Sequence, residues 1–378
     1  MKLFRWSVTA ALIVALQGAS LTACAHPAPV APVRKPVIQL AILLDTSNSM
    51  DGLIDQARSQ LWRVVNEFGN ARKGGVMPVL QVALYEYGND GLPAAGGHIR
   101  RVLPFTTDLD KVSEELFALR TNGGQEYCGQ VIGEAVRGLQ WSTSGEDLKV
   151  IFIAGNEEFT QGTVDFRISS ASAIARGIIV NTIFCGDRGQ GLETKWGVGA
   201  TMAEGRYVAI DQNAEVAEIE APQDDEIAAL GVKLNETYIA YGQKGAEGLT
   251  RQSVQDQNLA VKKGANVQRQ IAKTSANYDN ASWDLVDAKK SGKVDLEKVK
   301  TAELPPAMQK MSIAERKAHV AKTEQKRLEI QKRITTLDGE RKKYVAAQKK
   351  KLPPAASTLD EAIIAAVREA GKKRGFVF

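Results

Sequence analysis

The 378-residue chain is short of the side chains that most catalysis uses. It has three cysteines and three histidines, and aromatic residues make up 6% of it. His26, His98 and His319 are scattered and no cysteine pair has the spacing of a zinc site. A Ser–His or Cys–His nucleophile therefore has almost no raw material. No glycine-rich phosphate loop follows the first apolar run of the body, so a nucleotide-binding version of an α/β fold is poorly supported. The apolar stretch Trp6 to Leu16 is too short for a comfortable membrane span.

What stands at the amino terminus is an address. Lys2 and Arg5 form a basic region, the apolar stretch follows, and the segment ends Leu21-Thr22-Ala23-Cys24. This resembles a bacterial lipoprotein signal, which implies that Cys24 becomes the lipidated amino terminus. An ordinary cleaved secretory signal is the alternative. Ala25 is not the aspartate that commonly holds lipoproteins in the inner membrane, so the resemblance implies the outer membrane, periplasmic side. Residues 25–36, rich in Pro and Ala, read as an extended linker. In such an oxidising compartment Cys128 and Cys185 are either a disulfide or two buried thiols.

Charge divides the chain. From Asp225 onward there are 30 Lys+Arg against 19 Asp+Glu, net +11, which leaves −6 for the remainder of a chain whose total is +5. The basic part lacks interleaved aromatics, so nucleic acid is not expected as a partner. Periplasmic acidic partners or plain solvation are the better readings. Residues 37–220 alternate strand and helix signals, which predicts a parallel sheet covered on both faces. Strands are expected at Val37–Leu44, Pro78–Tyr85, Ile99–Leu103, Leu148–Ala154, Ile178–Phe184 and Tyr207–Ile210. Leu53, Ala57, Leu61, Val64 and Phe68 recur at helical spacing and should face that sheet.

The first strand breaks into Asp45-Thr46-Ser47-Asn48-Ser49. A carboxylate and two hydroxyls at alternate positions, at the carboxyl end of a parallel strand, make an oxygen-rich cage suited to a hard cation such as magnesium. Helix capping would explain one such residue well and three less well. This Asp-x-Ser-x-Ser spacing resembles the metal-ion-dependent adhesion site of von Willebrand factor type A domains. The resemblance extends over residues 37–211 and to the strings Phe105–Asp110, Thr121–Gly129, Ile151–Gly162, Val180–Gly186 and Trp196–Gln212. It implies a doubly wound, mostly parallel six-stranded α/β sheet. The family's second loop usually supplies a threonine after Gly-Gly; here Gln125 takes that position, with Glu126 beside it. The third loop normally offers an aspartate, and here Asn156 stands there. The implied metal ligands are Asp45, Ser47 and Ser49, with Glu126 and Asn156 contributing. The resemblance also implies a Cys128–Cys185 disulfide. Tyr127 and Phe159 are either contact residues or packing aromatics.

From residue 225 to 378 strand signals fade and a basic helical region is expected. Ile227, Leu230, Leu234 and Tyr238 are spaced for one helix, Arg251–Asn277 for a second and Ser282–Lys300 for a third. Ser312 to Glu315 is a capping box opening a helix to about Lys350. Its apolar rows, Ile313, Val320 and Ile334, and Ile330, Leu337 and Tyr344, have coiled-coil-like spacing but are interrupted by Arg316, Thr323, Arg327 and Arg341. That imperfect seam predicts a hairpin or a helix lying across its own domain. A last helix starts at Thr358 and ends at Gly371, and the apolar Gly375–Phe378 should dock.

Together these readings predict a lipid-anchored envelope protein that binds a protein partner through a divalent ion, magnesium by the chemistry of its ligands, and is not an enzyme. Two alternatives remain: a metal-free scaffold working through its basic helices, and a metal-dependent hydrolase using Glu126, Glu157 or Glu158 as base.

Overall fold

Val37–Asp45 forms β1, and its buried run of apolar side chains on both faces is what a central parallel strand requires. In the computed structural model, which describes residues 34–214, 219–351 and 358–378, β1 pairs in parallel with β3 (Val79–Tyr87) on one side and β5 (Leu148–Gly155) on the other. The sheet is completed by β4 (Ile99–Thr106), β6 (Ile179–Cys185) and β7 (Tyr207–Ile210), in the order β4-β3-β1-β5-β6-β7. Only β4 is antiparallel to its neighbour. The six expected strands and the doubly wound α/β architecture are as read from the sequence. The signal segment, Cys24 and the linker up to residue 33 lie outside the described residues.

Alternation along β1 sends Leu40, Ile42 and Leu44 into one core and Ala41 and Leu43 into the other. The second face is covered by α3 (Cys128–Gly138), α4 (Phe166–Ala175) and α6 (Trp196–Met202), the last preceded by the short α5 (Arg188–Glu193). The first face is covered by α1 (Asp51–Asn70), α2 (Leu109–Ala118) and, from the far end of the sequence, α13 (Leu359–Lys373). That last helix packs on α1 and against β5, β6 and β7. It is followed by the two-residue strand β8 (Phe376–Val377), which pairs with β2 (Arg72–Lys73) and buries Phe376. The expected docking of the apolar terminus is this pairing.

Between β7 and α13 the chain makes α7 (Asp224–Asn235), α8 (Gly245–Leu259), α9 (Lys263–Ala272), α10 (Leu285–Lys290), α11 (Pro306–Gln309) and α12 (Ile313–Lys349). Two of the expected helices are corrected. The segment 251–277 is two helices, because α8 packs on α2 while α9 packs on α1, and the chain must turn between them. The only α-helix in the segment 282–300 is α10, which stops at Lys290, and Gly292 just beyond it takes a left-handed conformation (φ 71°) that turns the chain away. Residues Lys35–Phe378 form one compact unit.

The long helix α12 opens with the expected capping box, Ser312 bonded to the Glu315 amide and Glu315 back to Ser312. It packs on α7, α9 and α10 of its own chain and buries Val320, Ile330, Ile334 and Leu337, while Ile313 and Tyr344 at the ends of the rows are exposed. The three arginines that interrupt those rows are themselves buried, and Arg327 and Arg341 are ion-paired. Arg327 Nη1 lies 2.7 Å from Asp284 and 2.9 Å from Asp287, over the ring of Tyr238. Arg341 Nε donates to Asp224 at 2.6 Å. A second buried network ties α9 to α2: Arg269 is held by Asp110 at 2.6 Å and Asp256 at 2.5 Å, and Lys273 Nζ lies 2.7 Å from Asp256. Among the described residues no helix is long and apolar enough to cross a membrane.

Candidate metal-binding site

β1 ends at Asp45 between β3 and β5, where three loops converge at the carboxyl edge of the sheet. The Asp45 carboxylate is fully buried. Its Oδ1 accepts the Ser47 amide at 2.7 Å, which bends the loop back over the strand end, while its Oδ2 has no donor. Ser47 Oγ and Ser49 Oγ are 3.4 Å apart, and Asn156 Nδ2 donates to Ser49 Oγ at 3.0 Å. The Asn156 Oδ1 is buried without a donor. Gln212 Nε2, from the loop after β7, fixes Ser49 by donating to its carbonyl at 2.8 Å.

Glu126 enters from the loop before α3 and is 2% exposed, its carboxylate facing Asp45. The Glu126 amide donates to Gln161 Oε1 at 3.0 Å and its Oε2 accepts the Glu157 amide at 3.3 Å. Gln125, at the position of the family's threonine, turns outward and accepts the Tyr127 hydroxyl at 2.9 Å. Thus all five residues expected to form the site, Asp45, Ser47, Ser49, Glu126 and Asn156, are joined by contacts at one edge. Two glycines make room. A Cβ on Gly88, which also has φ of 77°, would meet Asp45 Oδ1 at 2.7 Å and Glu126 Cγ at 2.9 Å. A Cβ on Gly155 would meet the Tyr87 hydroxyl at 2.5 Å and Asp45 Oδ2 at 3.2 Å.

The electrostatics follow from burial. Asp45 is pushed well above the usual carboxylate range by desolvation and then by the charge of Glu126; Glu126 is itself raised, mainly by burial. Two facing buried carboxylates, an orphaned carboxylate oxygen, an orphaned amide oxygen and two hydroxyls form a donor set that fits a hard divalent cation. Among the described residues no group of three or more His, Cys, Asp or Glu side chains is placed to hold a metal, so the fit depends on the hydroxyl and amide oxygens.

The expected disulfide is corrected. Cys128 and Cys185 are both free and buried. Alternation along β6 turns Cys185 into the core shared with α1 and α13, whereas Cys128, on α3, lies in the core on the other face. The sheet stands between them. Cys128 Sγ instead lies 3.9 Å from the Tyr87 hydroxyl. Burial pushes both thiols up, so neither is a thiolate nucleophile. Phe159 is fully buried against Phe166 and Trp196 and is a packing aromatic, while Tyr127 is half-buried against His98. Gln161, Gln212 and Gly88 support the site without having been read from the sequence. They lie on three loops far apart in the chain, and only the fold shows what they touch.

Residues 39–218 match the model of the von Willebrand factor type A domain. This part of the chain is a VWA domain. Solved structures similar to it include proximal thread matrix protein 1 from the mussel byssus, with a zinc-occupied MIDAS motif (13% identity, TM-score 0.36, covering 46% of this chain and 42% of that one). The pilus adhesin SpaC from Lactobacillus rhamnosus GG is similar at 14% identity and TM-score 0.36, over 48% of this chain and 28% of that one. The vWF domain of the type V pili tip protein Mfa5 from Porphyromonas gingivalis is similar at 12% identity and TM-score 0.35, over 47% of this chain and 90% of that one. The chain thus spans less than half the length of the mussel protein and of SpaC. No curated protein matches it.

Proposed function

We propose that this VWA domain binds a protein partner in the cell envelope through a divalent cation, magnesium by ligand chemistry, held by Asp45, Ser47 and Ser49 with Glu126 and Asn156. The chain would be tethered by lipidated Cys24 to the periplasmic face of the outer membrane and would have no catalytic activity. The observation that carries this reading is the buried, donorless Oδ2 of Asp45 facing a second buried carboxylate. Such a pair is costly without a cation or a proton between its members. Bound there, a divalent ion would supply a coordination position for an oxygen of the partner. Asp45 and Glu126 would neutralise the ion, Ser47 and Ser49 would ligate through hydroxyls, and the Gln161 and Gln212 contacts would hold the loops in place.

Calorimetric titration of the chain with magnesium and manganese, beside an Asp45→Ala variant, tests the metal. Saturable heat in the native chain only is expected. Equal, negligible heats from both would instead favour the metal-free scaffold working through the basic helical region. Mass spectrometry of envelope-extracted protein, native and Cys24→Ser, checks the anchor.

A further inference from the structure

We propose that the partner received at the metal edge presents a basic surface, lysines and arginines around a neutral oxygen, and does not bring a carboxylate to the ion. This rests on the metal reading above and adds the chemistry of the partner. Asp45 is fully buried with an Oδ2 that no donor reaches, which marks this edge as a binding face. Around it stand five exposed acids, each on a loop tied to the site. Asp51 opens α1 directly after the metal loop and accepts the Thr121 hydroxyl at 2.5 Å. The Asp90 amide donates to the Gly123 carbonyl at 2.6 Å. The Glu157 amide meets Glu126, with Glu158 beside it, and Asp211 precedes Gln212, which holds Ser49.

The charges on these loops do not cancel. Among their described residues the cations are Arg120 and, when protonated, His98. Arg120 is turned back onto the end of α2, its Nη1 donating to the Phe117 and Leu119 carbonyls at 2.8 and 2.7 Å. His98 Nδ1 lies 3.8 Å from Asp90. Elsewhere on this edge acids and cations match, Glu86 with Arg100 and Asp165 with Arg167, and the link from β6 to α6 carries two of each. Seven carboxylates, the five exposed ones with Asp45 and Glu126, stand against two charges from a divalent ion and one each from Arg120 and His98. That leaves three negative charges unmatched even with His98 protonated. The ion is itself neutralised by Asp45 and Glu126, so it offers no net charge to an incoming carboxylate, and the rim repels one. A hydroxyl or amide oxygen meets no such repulsion, and ammonium or guanidinium groups beside it pair with the exposed acids. The chain as a whole carries +5, so what draws a lysine-rich partner is this edge and not the overall charge.

The test is calorimetric titration of the full chain, in magnesium, with two peptides: a serine flanked by lysines and the same serine flanked by glutamates. The lysine peptide is expected to bind at least tenfold more tightly than the glutamate peptide, and to weaken as salt is raised through the range that screens surface charge. An Asp51→Asn/Asp90→Asn/Glu158→Gln variant should lose at least tenfold in affinity for the lysine peptide. A Glu236→Gln/Asp295→Asn/Glu297→Gln variant, which removes as much charge from exposed acids of the helical region, should keep it. The proposal is overturned if the glutamate peptide binds as tightly, if the first variant keeps its affinity, or if the second loses as much. Magnesium titrated alone separates the two readings. Heat from magnesium without a preference for lysine sinks the basic partner and leaves the ion, whereas a lysine preference lost in the first variant, with no heat from magnesium, does the reverse.

Discussion

At the scale of single residues, the site places function against stability. Asp45 and Glu126 are both buried and both raised, each by desolvation and Asp45 additionally by the other's charge. A neutral amide at position 45 would relieve that repulsion while keeping the shape. Asp45→Asn is therefore expected to stabilise the metal-free chain by about 1–2 kcal/mol, the usual size of such relief, and to abolish saturable uptake of magnesium. Thermal melts in chelator beside the metal titration check both halves; a destabilised variant that still binds metal would contradict the assignment. The carboxylate and two hydroxyls were legible because they lie within five residues of one another. Glu126 was legible only as a neighbour of the position that mattered. Which of Gln125 and Glu126 points inward was settled by Gly88 leaving space for the carboxylate and by Gln161 holding its amide.

Among the elements, α12 shows why a broken heptad was informative. Arg327 and Arg341 interrupt the apolar rows because the facing elements supply Asp284, Asp287 and Asp224. Removing one member of a buried ion pair strands the other, at about 3–5 kcal/mol. Arg327→Met, which strands both Asp284 and Asp287, is expected to cost that much in urea denaturation, and Arg327→Lys, which keeps a cation beside them, should cost less. The network on α9 carries a pH signature. Asp256, although burial opposes its charge, is held down to about 2 by Lys273 and Arg269. A carboxylate lowered from its ordinary value stabilises the fold above about pH 4, and that contribution is lost as pH falls towards 2. At 1.36 kcal/mol per pH unit it is worth about 2 kcal/mol. Stability measured from pH 5 to 2 should fall less steeply in Asp256→Asn than in the native chain.

For the molecule as a whole, the sheet is not finished where its last strand ends. Its α1 face is closed by α13, reached only after the intervening helices. Leu359, Ile363, Ala366 and Val367 are buried there. Burying four apolar side chains is worth on the order of 5–10 kcal/mol, comparable to the whole stability of an ordinary domain. A chain truncated before residue 358 is expected to lose cooperative unfolding and to bind hydrophobic dyes. A truncated protein that melts cooperatively within a few degrees of the native one would show that α13 is dispensable.

The sequence by itself determined the strands, because uninterrupted apolar runs bounded by turn residues have few other solutions, and the grouping of Asp45, Ser47 and Ser49, because these residues are local. It also determined the start of α12, where the capping box is a contact between near neighbours. Tertiary structure decided the rest. Strand alternation put Cys128 and Cys185 on opposite faces of the sheet, and long-range packing split one expected helix in two. The buried arginines found their partners only across the fold. The last helix became part of the first domain's core because the face it covers is made by strands more than 140 residues earlier, a relation that no local periodicity encodes.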